Sequence, residues 1–135
     1  MLEDIQSFIN SSGVAITGTN LFVSTIPESL TLAVGLFDYA GEPPDAIAQT
    51  RAPGLQVLIR ATSYSAGRAM ADAIYEVLSP VGDEIDDESL YSTGVEINGT
   101  QYNRILPLEI PWYSGKTDTA QHEFVCNYRV YFYKE

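Results

Sequence analysis

Within residues 54–78 the spacing of apolar side chains switches from every second position to every third or fourth, and few folds accommodate that switch. Up to Thr62, the residues Leu55, Val57, Ile59 and Ala61 are apolar while Gln56, Arg60 and Thr62 alternate with them, and only Leu58 breaks the pattern. A period of two predicts a strand with one inward face. Beyond it Ala66, Ala69, Met70, Ala73, Ile74, Val77 and Leu78 gather on one stripe of a helix. Ser63 or Ser65 can cap the first turn by accepting from an orphan N–H, and Pro80 with Gly82 stops the last. The stripe is mostly small and Gly67 lies beside it, so this helix can approach a sheet or another helix closely. A packed, two-layer domain is expected.

A chain of 135 residues, 45% of them hydrophobic, can bury a sizeable core as one domain over 1–135 with no metal or disulfide. No run reaches the roughly 18 apolar residues that cross a bilayer, and the acidic start at Glu3 and Asp4 is unlike a basic signal peptide. No membrane partner is expected. The single cysteine, Cys126, excludes an internal disulfide and a cysteine-built metal site, and reads as a small core residue. Eighteen acids against seven bases give a formal charge of -11, which repels phosphate backbones and argues against a conventional nucleic-acid binder.

Along the chain, Leu2, Ile5, Phe8 and Ile9 predict a short amphipathic helix with Glu3 and Asp4 in its first turn and Gly13 as its stop. Residues 20–26 and 30–39 read as strands around a turn at Pro27, the second with Leu30, Leu32, Val34 and Leu36 on one face. Gly41, Pro43 and Pro44 interrupt any ladder, so 40–53 is expected as a loop, with a helical turn at 45–50 as an option. Asp83, Glu84, Asp86, Asp87 and Glu88 place five carboxylates in six positions, which predicts a solvated loop. Calcium is the sharper alternative there, but the alternating ligands and mid-loop glycine of a calcium loop are missing. Asn98 and Gly99 between Val95–Ile97 and residues 100–106 predict a tight hairpin. Pro107 and Pro111 end that strand, leaving Trp112 and Tyr113 as core satellites or, alternatively, interface anchors. The last strand has His122, Phe124, Cys126, Tyr128, Val130 and Phe132 on one face and Val125, Arg129, Tyr131 and Tyr133 among those on the other. Such a strand is central in its sheet, or rests one face on a neighbouring subunit.

Catalytic signatures are absent from the sequence. The sole histidine, His122, starts a strand rather than standing beside a nucleophile elbow, and no phosphate-binding glycine pattern occurs. Asp38, Glu42 and Asp45 read as solvated acids. No enzyme activity and no cofactor is expected. Arg60 and Arg68, among few bases, are expected to meet carboxylates within the fold or across a subunit boundary.

Phe37 to Gly41 followed by Pro43, Pro44 and Asp45, the strand from Ala52 to Arg60, and the helix from Tyr64 to Leu78 together resemble the tail terminator (tail completion) proteins, small minor capsid proteins of long-tailed bacteriophages. The likeness extends more loosely through Arg104 to Pro107 and into the aromatic last strand. It implies an α+β fold: a twisted mixed, mainly antiparallel β-sheet with helices packed on one face. It also implies a hexameric ring of identical subunits that caps the tail tube, stops tube polymerisation and offers a docking face to the head–tail connector. The partners would then be further copies of the chain, the tube protein and the connector, in a virion assembled in the host cytoplasm, with DNA passing through but not specifically bound. The residues we single out for interfaces are Pro43, Pro44, Arg60, Arg68, Arg129, Tyr131 and Tyr133, and the acidic run from Asp83 to Glu88 is expected at the lumen or a ring face. The alternatives are a neck adaptor or stopper and, from another class, a small ligand-binding or hydrolase domain.

Overall fold

The structure, a computed structural model, describes residues 1–45, 50–83 and 94–133, with the backbone alone at 42–45 and 50. In chain order these form α1 (Leu2–Ser12), β1 (Leu21–Val23), β2 (Leu32–Asp45), β3 (Thr50–Ala61), α2 (Tyr64–Leu78), β4 (Val95–Ile97), β5 (Thr100–Pro107), β6 (Trp112–Lys116) and β7 (His122–Tyr133). The change of period therefore marks a real junction, β3 into α2. Leu55, Val57, Ile59 and Ala61 are buried and the residues between 56 and 60 that alternate with them are half-buried. Ser63 is the cap: it is extended, and its side chain accepts from the Ala66 N–H at 3.4 Å.

The helix is turned from the expected stripe. Its buried residues are Gly67, Met70, Ala71, Ile74 and Leu78, while Ala66 and Ala69 are exposed. Gly67 explains the rotation, since a Cβ at this position would lie 2.6 and 2.9 Å from two ring carbons of Phe124 on β7. The helix presses its bare backbone against that ring. The alanines mark the border of the contact rather than its centre.

Among the described residues one sheet forms, in the order β1-β2-β3-β7-β5-β4, with β6 also paired to β7. Only β1 with β2 is parallel, so the sheet is mixed and mainly antiparallel, in an α+β fold. β7 is central: β3 runs along one edge, while β5 pairs with its second half and β6 with its first. Its even-numbered face joins Val34, Leu36, Leu55, Val57 and Ile59 and the apolar sides of both helices in one buried cluster. Complete burial of an aliphatic or aromatic side chain of this kind contributes about 1.5–3 kcal/mol.

The helix α1 follows its predicted pattern, burying Leu2, Ile5 and Ile9 and ending at Gly13, whose φ of 81° admits the left-handed stop. Its Asp4 carboxylate accepts from Tyr102 Oη and, at 2.9 Å, from Asn98 Nδ2, fastening the helix to the β4–β5 hairpin. Asn98 and Gly99 both take positive φ, 50° and 84°, as a two-residue turn of this type requires.

Two further expectations are corrected. Residues 40–53 are not a loop, because β2 continues to Asp45 and β3 begins at Thr50. The pairing slips by one residue between Tyr39 and Glu42 and again between Glu42 and Asp45. Beyond Leu36, β2 is paired with β3 and with no other described strand, so Pro43 and Pro44 sit on an edge where bulges absorb the missing donors. The helical turn considered for 45–50 falls partly on 46–49, outside the described residues, and Asp45 and Thr50 are strand. Trp112 and Tyr113, expected in the core, instead open the separate strand β6 and stay 46% and 37% exposed. Pro111 ends one pairing and lets another begin.

Candidate interaction surfaces

The sheet's second face carries the alternate side chains and supplies the main candidate surface. Phe37, Gln56 and Asn127 lie side by side on β2, β3 and β7 by register. At that level the chain leaves the ladder: β5 ends with Pro107 opposite Tyr128, β6 begins with Trp112 opposite Val125, and residues 108–111 bulge outward between them. The bulge would leave part of β7 without a pairing strand, and Glu109 makes up the deficit. One oxygen of its carboxylate accepts from the Asn127 backbone N–H at 2.7 Å and from Asn127 Nδ2 at 3.0 Å, while Leu108 N–H donates to Asn127 O at 2.9 Å. A side chain replaces a strand.

Around this point lies a concavity of about 300 Å³ lined by Phe37, Asp38, Tyr39, Gln56, Leu108, Glu109 and Asn127. Tyr39 forms one wall because its partner across the ladder is Gly54, over which its ring lies so closely that a Cβ would meet ring carbons at 2.2–2.5 Å. Burial pushes the Tyr39 hydroxyl's pKa up; the Arg129 charge opposes this and Glu109 reinforces it. Past the concavity, Leu108, Ile110 and Trp112 continue an exposed apolar band, with Ile110 67% exposed. On the inner side Cys126 Sγ donates to Glu109 O at 3.3 Å, and its pKa is pushed up to about 11, by burial first.

A second surface lies at the N-terminal end of α2. Tyr64, Tyr113, His122 and Phe124 pack edge-on or tilted with ring centroids 5.1–6.0 Å apart, and Tyr113 Oη is 2.9 Å from His122 Nδ1. His122 is thus an aromatic-cluster member at the start of β7. On the other side of α2, a shallow apolar groove of about 400 Å³ is lined by Val14, Leu32, Met70 and the small Ala66, Ala69 and Ala73.

The residues singled out from sequence do not converge on one place. Arg60 pairs with Glu123 at 3.0 Å, and both side chains are about a quarter exposed. Arg68 reaches Asp72 at 3.6 Å, donates to Pro111 O at 3.0 Å and stands 6.0 Å over the Phe124 ring, tying α2 to the bulge. Arg129 and Tyr131 are half-buried on the second face of β7 and Tyr133 is exposed at its end. Pro43 and Pro44 lie near the end of β2. Asp83 pairs with Arg104 at 3.6 Å, while Glu84, Asp86, Asp87 and Glu88 lie outside the described residues, as do most positions considered for calcium. Sequence reasoning missed Gln56, Glu109 and Asn127. The one available signal was the pair of prolines four residues apart, which frames Glu109.

A chain in the virion of a native gene transfer agent (GTA) particle has a similar fold, with a TM-score of 0.70 at 9% sequence identity over 98% of this chain and 93% of that one. Among curated proteins there is no match. The sequence does match the bacteriophage tail terminator protein family over residues 8–133, which takes in every strand and all of α2. With a match of that extent, the chain belongs to the bacteriophage tail terminator family, and it is a structural component of a phage tail.

Proposed function

We propose that the protein closes the tail tube: copies of it assemble into a hexameric ring on the last tube subunits, end tube polymerisation and present a joining surface to the head–tail connector. The observation that carries this reading is the family match over nearly the whole chain. The exposed apolar band at Leu108, Ile110 and Trp112 supports it, because a monomer of this charge gains nothing from keeping such side chains in water. In this reading the two helices lie together on the core face of the sheet and leave the second face to neighbours. Pro43, Pro44, Arg129, Tyr131 and Tyr133 then belong to subunit contacts. Arg60 and Arg68, held by carboxylates of their own chain, keep those contact surfaces in shape. The acidic run from Asp83 to Glu88 faces the lumen or a ring face, where its charge keeps passing DNA off the wall. Assembly takes place in the host cytoplasm.

Light scattering coupled to size exclusion, with and without purified tube protein, tests this directly. A hexamer forming alone or on tubes is the expected result, and phage lacking the protein should make tails of uncontrolled length. A protein that stays monomeric with tubes, but binds the connector, would instead be a neck adaptor or stopper.

A further inference from the structure

The concavity beside Glu109 has a polarity that its hydrogen bonds fix. An ionised carboxylate can only accept, so the Asn127 amide must turn its Nδ2 towards Glu109, as it does at 3.0 Å. That turns Asn127 Oδ1 the other way, and Gln56 must then offer it Nε2, which it does at 3.3 Å. The floor is therefore a relay of amide donors directed at Glu109. It leaves Gln56 Oε1 and the second Glu109 oxygen as acceptors with no partner among the described residues. Asp38 reaches its rim from the strand position between Phe37 and Tyr39, and among the described residues the lining contains no lysine or arginine. Arg129 acts on Tyr39 from nearby without lining the cavity. The walls are the faces and edges of Phe37, Tyr39 and Leu108.

We infer that this concavity is a socket for an arginine side chain presented by a different protein of the tail. An aromatic wall accepts the flat guanidinium or its aliphatic stem, and carboxylate and amide oxygens accept its forked donors. Charge bookkeeping favours a different protein over a second copy. The chain has seven bases against eighteen acids, and Arg60, Arg68 and Arg104 already meet acids of their own molecule. The inference rests on the terminator reading only for the identity of the neighbour.

The test uses the whole protein, labelled with 15N, and two capped amino acids as probes. N-acetyl-arginine amide should give saturable shifts of the Gln56 and Asn127 side-chain amide signals, and its neutral isostere N-acetyl-citrulline amide should not. Glu109→Gln, which keeps an acceptor for Asn127, should weaken the arginine response about fivefold, the effect of roughly 1 kcal/mol for one exposed charge-assisted contact. Equal shifts from citrulline, an equal response to N-acetyl-lysine amide, or no saturable shift up to the solubility of the probe would each overturn the assignment. Ring size by light scattering reads the terminator role separately, so either result can fail while the other stands.

Discussion

The two faces of the sheet are built from the same strands by the same alternation, yet they differ in what completes them. On one, Phe124, Tyr128 and Val130 of β7 are buried against Leu55, Ile59, Gly67 and Ile74 of the chain itself. On the other, the rows holding Tyr39, Leu108 and Trp112 end in water. An apolar residue thus has two quite different meanings in this molecule. The first face decides whether the chain folds; the second leaves large apolar side chains exposed among the described residues.

That division breaks most readily at the core. Phe124→Ala removes a fully buried ring touching α2 and β6, and should cost about 3–5 kcal/mol in urea unfolding. A loss below about 1 kcal/mol would mean the helix is not seated where the contacts place it. Gly67→Ala adds a single methyl to the same contact and should cost about 1–3 kcal/mol, because the ring or the helix must give way. An unchanged midpoint would show slack in that packing.

Alkaline pH should find the inner face as well. The Cys126 thiol ionises near 9.0 in an unfolded chain and near 11 in the fold, so above pH 9 proton loss favours the unfolded state. Burial raises the Tyr128 and Tyr102 hydroxyls in the same direction, the latter helped by its bond to Asp4. Stability should fall between pH 9 and 11, which urea midpoints at pH 7.5 and 10.5 would detect. The smallest change in stability is expected on the second face. Ile110→Ser should alter unfolding by no more than about 0.5 kcal/mol while impairing ring formation or tail joining. A variant that is destabilised yet assembles normally would reverse the contrast between the faces.

Much of this was legible in the residues because it depends on short-range patterning. The alternation from Leu55 to Ala61, the cap at Ser63, the Asn98 and Gly99 turn and the inward row of β7 are all local choices that the tertiary fold did not override. What escaped was decided across the chain. Pro43 and Pro44 forbid a ladder only where their missing N–H groups are needed, and nothing local says that β2 meets no second described strand there. The rotation of α2 depends on Phe124, which lies 57 residues away in sequence. The amide relay joins positions 56, 109 and 127, of which Gln56 and Asn127 individually look like ordinary polar residues of a strand. Arg60 and Arg68 meet carboxylates as their scarcity among acids implied, but their partners could not be named.

The position of β7 has a consequence for how the molecule is made. This strand follows all the others in the chain, yet it lies between β3 and both β5 and β6. During synthesis, therefore, two halves of a sheet emerge from the ribosome with no middle, each exposing a strand edge that nothing yet covers. The core cannot close until the final segment threads between them, a late and long-range step of the kind that makes folding slow. Shortening that segment by a few residues should harm the yield of soluble protein far more than an equal deletion at the start of α1.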